Sequence, residues 1–289
     1  NIGSLLKKYL FPICINPFGI AYNPLSVKKG LEALIERDAY QAVDLVQHQD
    51  LWLSFDHDTG FSSSTPEGAL KKINQSFLQA KEMLVKTNYL FITWGTAWVF
   101  HNKSKEEVVN NCHKIPADRF DRFRLSTKEI IQTYEDVLPR LFQLNPGLRV
   151  ILTVSPVRHW KDGAHGNQLS KASLFLAGEA LRDSFQKNVF YFHSYEIMMD
   201  ELRDYRYYSS DLLHTSEQAI HYIWEKFDQA FLSERSREII GDLESLLKMI
   251  QHRPMNREGR AYTNMLKTRE GKRLDLMNKY PDLNWEKLH

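Results

Sequence analysis

Tyr89-Leu90-Phe91-Ile92-Thr93 is a continuous apolar run that ends shortly before Gly95. An apolar run of this length, without polar alternation, is typical of a strand that is covered on both faces of a parallel sheet. Val150-Ile151-Leu152-Thr153-Val154 repeats the pattern, and a helix is predicted between the two runs, with Ser126 and Glu129 in capping-box spacing at its start. This order of strand, loop and helix predicts a doubly wound α/β sheet, whose ligands bind beyond the carboxyl ends of the strands.

Further elements flank these two strands. Phe11-Pro12-Ile13-Cys14-Ile15 is predicted to be a short strand, and Val189–Phe192 the last one. From Ser233 onward the chain becomes charged and polar, with the spacing of an amphipathic helix that covers a surface or docks a partner. We therefore expect one α/β domain over residues 1–232 and a helical C-terminal extension over residues 233–289.

The composition limits the classes of function. The chain has 289 residues, 43% of them apolar, which predicts a globular protein with a sizeable core. Its 38 basic and 36 acidic side chains nearly balance, so neither nucleic acid nor an anionic membrane is expected as a partner. The longest apolar runs are far short of the roughly 20 residues that span a bilayer. Cys14 and Cys112 form neither a disulfide framework nor a metal-binding spacing, which favours a cytoplasmic protein. The oligomeric state is not indicated.

Asp211-Leu212-Leu213-His214 follows the last predicted strand and precedes a predicted helix. It places a carboxylate and an imidazole on one short loop. In a Ser-His-Asp catalytic triad, a histidine that is hydrogen-bonded to an acid acts as the general base. No serine of this chain lies at a recognisable strand-to-helix nucleophile turn, so we expect the nucleophile upstream of residue 1. The alternative is that Asp211 caps a turn and His214 is an exposed polar residue.

Six ordered segments resemble the motifs of the GSCFA family, which in turn resembles the SGNH (GDSL-like) hydrolase superfamily. The resemblance covers about residues 1–232. The segments are Asn16-Pro17-Phe18-Gly19-Ile20 with Tyr22-Asn23-Pro24, Trp52-Leu53-Ser54-Phe55-Asp56-His57, Gly95-Thr96-Ala97-Trp98-Val99, Asn111-Cys112-His113-Lys114, Ser155-Pro156-Val157-Arg158-His159 and Asp211-Leu212-Leu213-His214.

The resemblance implies a three-layer α/β/α sandwich with a mostly parallel, flavodoxin-like (SGNH-type) sheet. It also implies serine-dependent cleavage of an O-acyl ester without a cofactor, with a small molecule or a glycan as the ester substrate. The serine would lie in a Gly-Ser-Cys-Phe-Ala segment before residue 1, so the chain by itself is expected to lack the nucleophile. His214 would be the general base and Asp211 would orient its ring. Thr215 departs from the proline that the family usually has there.

An ester-cleaving site also needs donors for the developing oxyanion. Gly95 and Thr96 directly follow a predicted strand and occupy the place where SGNH enzymes carry a Gly-x-Asn-type block. Asn111 is a candidate for the missing side-chain amide, and Gly19 for a further backbone donor. The alternatives are a turn-forming asparagine and a simple turn glycine.

Other loop residues are candidates for holding the substrate. Arg158 and His159 follow a predicted strand and suit a carboxylate, phosphate or sugar hydroxyl, unless they only brace the loop through a salt bridge. His113 and Trp98 belong to the family-like motifs. Aromatic faces near the loops suit a sugar or an acyl chain, although core packing is the common role of a tryptophan. The tryptophans concerned are Trp52, Trp94, Trp98 and Trp160.

Three alternatives stay open. An O-acyltransferase would share the acyl-enzyme half-reaction. A metal-dependent hydrolase would make water nucleophilic, but the candidate ligands lack a diagnostic spacing, so no metal ligand is assigned. A non-catalytic binding protein would carry another residue in place of the serine. The metal-ligand candidates are Asp56-His57-Asp58, His113, His159, Asp162 and His165.

Overall fold

The computed structural model describes residues 2–252 and 259–288. Contacts within the chain divide it into two compact units. The sheet unit spans Asn16–Ala219, and the helical unit combines Asn1–Ile15 with Ile220–His289. The predicted boundary after residue 232 falls inside the helical unit, and the division into two domains there stays a prediction.

The strands and helices of the described residues are labelled in chain order. The strands are β1 (Val46–His48), β2 (Leu51–Leu53), β3 (Tyr89–Trp94), β4 (Trp98–Asn102), β5 (Glu107–Val109), β6 (Phe120–Arg124), β7 (Arg149–Val154) and β8 (Val189–Phe192). The helices are α1 (Ile2–Lys8), α2 (Pro24–Glu36), α3 (Pro66–Leu84), α4 (Thr127–Leu144), α5 (Gly163–Ser184), α6 (Ser194–Glu196), α7 (Glu217–Phe231), α8 (Glu234–Gln251) and α9 (Arg260–Lys279).

A parallel sheet with the strand order β3, β7, β8 forms the centre of the sheet unit. Its register pairs Tyr89 with Arg149 and Trp94 with Val154, while Thr153 pairs with Phe192. Every residue of β7 after its first is buried, as expected for a strand covered on both faces. Because the strands are parallel, the loops that follow them start at one edge of the sheet. The α/β class is thereby confirmed.

The other sheets are antiparallel. β4 pairs with β5 on one side and with β6 on the other, and β1 pairs with β2. Three parallel strands among those described do not establish a mostly parallel, flavodoxin-like sandwich. For the chain between Gly95 and Ser126 no strand was predicted. Instead it contains β4, β5 and β6, where short apolar segments such as Trp98-Val99-Phe100 pair across turns.

The strand predicted over Phe11-Pro12-Ile13-Cys14-Ile15 is wrong. This segment pairs with no strand of the described residues. Pro12 has no N–H for a ladder, and Phe11 donates its own N–H back to the Leu6 carbonyl at the end of α1. An apolar segment therefore remains irregular here, since burial alone does not supply a hydrogen-bonding neighbour.

Helix termini and apolar faces follow the sequence closely. Ser126 caps α4, its Oγ accepts the N–H of Glu129, and the Glu129 carboxylate accepts the Ser126 N–H at 2.7 Å. Along α4 the residues at helical spacing are buried, among them Tyr134 and Leu138. Tyr134 accepts a hydrogen bond from Trp94 Nε1 at 2.8 Å, so the end of β3 is fixed against this helix.

The helical unit has its own core. Leu243 and Leu246 of α8 are buried together with Leu276 of α9 and with Tyr9 and Leu10 of the N-terminal segment. The Tyr9 hydroxyl donates to Glu244 at 2.9 Å. The first residues of the chain thus pack with its last helices. Within residues 2–252 and 259–288, no helix has both the length and the apolar character needed to cross a membrane.

Candidate active site

The loop after β8 leads into a short hairpin, here called the dyad hairpin, formed by residues 207–216. Tyr208 and Thr215 form an antiparallel bridge. The Ser209 N–H donates to the His214 carbonyl at 2.8 Å. Leu212 has a φ of +58°, in the left-handed region, which lets the chain turn tightly between Asp211 and His214. Local geometry therefore brings the predicted acid and base together.

Asp211 and His214 form a hydrogen-bonded pair. His214 Nδ1 lies 2.6 Å from Asp211 Oδ2, and Asp211 Oδ1 accepts the backbone N–H groups of Leu213 and His214 at 2.9 and 3.0 Å. The hydrogen bond from the His214 ring, followed by those of the backbone, lowers the pKa of the Asp211 carboxyl to about 2. The ionised carboxylate can only accept, so Nδ1 carries the proton and Nε2 of the neutral ring has a free lone pair.

The pair lies at the surface. The side chains of His214 and Asp211 are 65% and 45% exposed. Asp211 also caps its own turn. The two alternatives, an acid that orients His214 and an acid that caps the turn, therefore occur together in one loop. Among the residues that the structure describes, none forms a hydrogen bond with His214 Nε2. The base is therefore oriented and accessible to an incoming group.

Gly95 and Thr96 follow β3 at the same edge of the sheet, but their N–H groups are already used. Both donate to the Tyr22 carbonyl oxygen, at 2.7 and 3.0 Å. A Cβ at position 95 would lie 3.2 Å from His159 Nε2 and 3.3 Å from that carbonyl, which explains the glycine. These two amides can serve an oxyanion only if Tyr22 moves away, so their predicted role stays a prediction.

Ser170 and Lys171 of α5 hold the loops after β3 and β7, and the sequence did not single them out. Lys171 is fully buried, and its Nζ donates to the carbonyls of Gly95 and Ser155, both at 2.6 Å. Ser170 Oγ accepts the Ala97 N–H at 2.7 Å. Burial lowers the pKa of Lys171 to about 7. The sequence could have indicated this burial, because Lys171 lies on the apolar face of α5, three residues before the buried Leu174.

Arg158 and His159 lie in the loop after β7. Arg158 Nη2 donates to the Tyr208 hydroxyl at 2.8 Å, and its guanidinium carbon lies 4.5 Å from the centroid of that ring. Burial, and next the charge of Lys171, lowers the pKa of His159 to about 4, and its ring meets Tyr22 edge to face. The loop is braced, but through a tyrosine of the dyad hairpin rather than through a salt bridge.

Gly19 serves the local structure. It has a φ of +80°, and its missing Cβ leaves room for the Asp58 carboxylate, whose Cγ would lie 2.2 Å from a Cβ there. Its N–H donates to the Asn16 carbonyl at 2.8 Å within the predicted turn. These contacts are those of a turn glycine, the alternative to a backbone donor for the oxyanion.

Asn111 and His113 belong to a polar loop after β5. The Asn111 side chain accepts the His113 N–H at 2.8 Å, as a turn-forming asparagine does. His113 is buried, and its Nε2–H donates to the Ser54 carbonyl at 2.8 Å. In the described part of the chain neither residue forms a hydrogen bond or an ion pair with Asp211 or His214.

The tryptophans divide by environment. Trp94 is fully buried, whereas Trp160 is 51% exposed and lies in the Arg158 loop. The Trp98 ring packs against the Arg122 guanidinium at 4.2 Å, and its Nε1 is buried without a partner. Of these three tryptophans, only Trp160 is exposed to solvent.

The described residues contain no group of three or more histidine, cysteine or acidic side chains that could hold a metal ion. His57 Nδ1 lies 3.0 Å from Ser54 Oγ, but its ring is enclosed by aromatic side chains. A polar cavity of about 210 Å³ lies nearby. Lys29 at its wall is paired with Asp56 at 2.6 Å and with Glu107. These charges satisfy one another, and the cavity offers no separate catalytic set.

The fold and the site define an α/β protein that carries an aspartate and histidine pair on a hairpin, and this hairpin is bonded through Tyr208 to the loop after β7 of the parallel sheet. The model of the GSCFA family matches residues 1–227, so the chain belongs to that family and the predicted resemblance is confirmed. No curated protein and no solved structure matches the chain. The further resemblance to SGNH hydrolases stays a prediction.

Proposed function

We propose that the protein is a serine-dependent esterase of SGNH type that acts on an O-acyl ester. The observation that carries this proposal is the 2.6 Å contact between Asp211 Oδ2 and His214 Nδ1, which leaves Nε2 as an accessible base. A parallel sheet with polar loops at its carboxyl edge supports an SGNH-type, three-layer arrangement. The substrate class, a small-molecule or glycan ester, rests on analogy with that superfamily.

The proposed chemistry uses the pair in two half-reactions. His214 Nε2 takes the proton of a serine hydroxyl while Oγ attacks the ester carbonyl, and Asp211 stabilises the imidazolium that forms. The imidazolium then protonates the leaving alkoxide as the carbon–oxygen bond of the ester breaks, which leaves an acyl-serine. Water then attacks the acyl carbon and gives a proton to Nε2. The imidazolium returns that proton to the serine Oγ as the bond from Oγ to the acyl carbon breaks, which releases the acid and restores the serine.

The proposal requires a serine hydroxyl at His214 Nε2, and the resemblance implies that the Gly-Ser-Cys-Phe-Ala segment of the family supplies it. The test therefore uses the full-length protein and a fluorophosphonate, which labels activated serines covalently. We expect labelling in the wild type and its loss in His214→Ala. The matched control is His165→Ala, since His165 is also exposed but lies in α5. Equal labelling of wild type and His214→Ala would remove His214 from the mechanism.

Asp211→Asn gives a second, graded test. Removing the acid of a serine triad lowers kcat by about 10⁴-fold where the acid is buried. Asp211 is partly exposed, so water can replace part of its effect, and we expect a loss of about 10²-fold or more in the rate of ester hydrolysis. An unchanged rate would show that Asp211 only caps its turn.

The alternatives give different results in the same preparation. An O-acyltransferase would be labelled in the same way but would form product faster with an alcohol acceptor than with water. Stoichiometric zinc or manganese in the purified protein would contradict the serine model and favour a metal-dependent hydrolase. A binding protein without catalysis would remain unlabelled in every variant.

A further inference from the structure

We propose that the loop after β7 binds an anionic group of the ester substrate, a carboxylate or a phosphate, with Arg158 as its principal ligand. The inference rests on the proposed esterase function and adds the charge class of the substrate to it. It follows from the hydrogen bonds of Arg158, from the charges around His159 and from the exposure of the surrounding aromatic rings.

The Arg158 guanidinium is held in place, but most of its N–H donors form no hydrogen bond with the described residues. A guanidinium has five N–H donors, and in the described part of the chain one of the five, at Nη2, forms a hydrogen bond, to the Tyr208 hydroxyl. The group lies against the Tyr208 ring, 4.5 Å from its centroid. Stacking of this kind fixes the plane of a guanidinium and leaves its edge available. The edge of an arginine binds carboxylates and phosphates in a bidentate manner.

Several other arginines of the sheet unit have carboxylate partners. Arg122 pairs with Asp162 at 2.5 Å, and Arg203 pairs with Asp200 at 2.8 Å. No carboxylate among the described residues lies within 4.0 Å of the Arg158 guanidinium. A positive group that is partly buried and held rigidly, without a counter-ion, is poised to pair with a charge on a ligand.

In the part of the chain that the structure describes, the charged groups around the next residue, His159, leave no uncompensated carboxylate that would repel an anion. The charged groups that act on His159 are Lys171, Asp162 and Arg122, two cations against one carboxylate. Asp162 is already paired with Arg122, and Lys171 is only partly protonated near pH 7, so the positive charge available to a ligand is that of the Arg158 guanidinium. His159 itself stays neutral at physiological pH and can donate or accept a hydrogen bond. An incoming anion would therefore meet a positive potential with a neutral ring beside it.

The site is open to solvent. Trp160 is 51% exposed, and its ring centroid lies 6.0 Å from the Arg158 guanidinium carbon. Tyr22, whose ring contacts His159, is also exposed. Arg158 itself is half-buried between these exposed rings, so a ligand can approach the loop from solvent, and Trp160 provides a local fluorescent reporter.

The first experiment measures binding without catalysis. Tryptophan fluorescence of the full-length protein is titrated with inorganic phosphate at constant ionic strength, with chloride as the balancing anion. We expect a saturable change that is lost in Trp160→Phe and at least tenfold weaker in Arg158→Gln. Arg203→Gln, an exposed arginine of the same unit, should bind as the wild type does. No saturable change in the wild type, or equal binding by Arg158→Gln, would overturn the proposal.

The second experiment compares 4-nitrophenyl hemisuccinate with the neutral 4-nitrophenyl butyrate. We expect Arg158→Gln to lower kcat/KM at least tenfold more for the anionic ester than for the neutral one. Tyr208→Phe keeps the stacked ring and should preserve the preference of the wild type. An equal loss for both esters in Arg158→Gln, reproduced by Tyr208→Phe, would show that Arg158 only holds the dyad hairpin. In that case hydrolysis that depends on His214 would still support the proposed function.

Discussion

Replacing Lys171 by methionine should remove a pH dependence of stability that the wild-type protein carries. Burial holds the pKa of Lys171 at about 7 in the folded protein, against an ordinary value of 10.5. Between these two values the unfolded chain binds a proton that the folded chain does not. Stability therefore rises with pH across this window, because the slope follows the difference in bound protons between the unfolded and folded states.

The size of the effect follows from the shift. Each pKa unit corresponds to about 1.4 kcal/mol. Integration from pH 7 to pH 9, with Lys171 half-protonated at the lower limit, gives about 2 kcal/mol of added stability. The side chain is fully buried and donates to two backbone carbonyls, so solvent does not screen the effect. Lys171→Met removes the titrating group and, in addition, leaves the Gly95 and Ser155 carbonyls without this donor at every pH.

The measurement is urea unfolding of the full-length protein at pH 7 and pH 9. The quantity compared is the change in the free energy of unfolding between the two pH values, since the lost hydrogen bonds affect both. The wild type should gain about 2 kcal/mol more than Lys171→Met. Lys128→Met, an exposed lysine of α4, is the control and should behave as the wild type. Parallel pH profiles of wild type and Lys171→Met would refute the reasoning.

Two further substitutions test the core and the turn. Tyr134→Phe should lower the free energy of unfolding by about 1 to 3 kcal/mol in a urea titration, because it leaves the Trp94 Nε1–H without its acceptor. The control is Tyr205→Phe, which changes an exposed tyrosine and should have little effect. Gly19→Ala should lower Tm in a thermal scan, because the new Cβ would collide with Asp58 and because residue 19 has a positive φ. The control is Gly271→Ala on α9, where a Cβ would meet no atom within 4 Å, so Tm should stay unchanged or rise. An unchanged Tm in Gly19→Ala would contradict the geometry of the Asn16–Gly19 turn.

The parts of the fold that could be predicted are those that depend on neighbouring residues. The continuous apolar runs at Tyr89 and Val150 predicted β3 and β7, and the capping box at Ser126 predicted the start of α4. β4 to β6 were missed because short strands that pair across turns carry little periodicity of their own. The strand predicted at Phe11 failed for the opposite reason, since its composition suited a strand but no described strand pairs with it.

The site divides in the same way. Asp211 and His214 are three residues apart, so a single turn suffices to join them. The spacing left their contact as one of two alternatives, and the family resemblance favoured it. The bond from the Gly95 amide to the Tyr22 carbonyl joins residues that are distant in the chain. No local pattern reveals that this donor is already engaged. The same holds for Lys171, whose partners lie on two other loops.

These distant contacts form a continuous support for the dyad. Lys171 joins the loop after β3 to the loop after β7, and Arg158 joins the latter to Tyr208 of the dyad hairpin. An exposed pair held only by its own turn would be loosely placed, whereas catalysis requires groups fixed to within about 0.5 Å. The Arg158 contact supplies such a tie from the hairpin to the sheet edge. A change at Lys171 can therefore alter the placement of His214 without touching it.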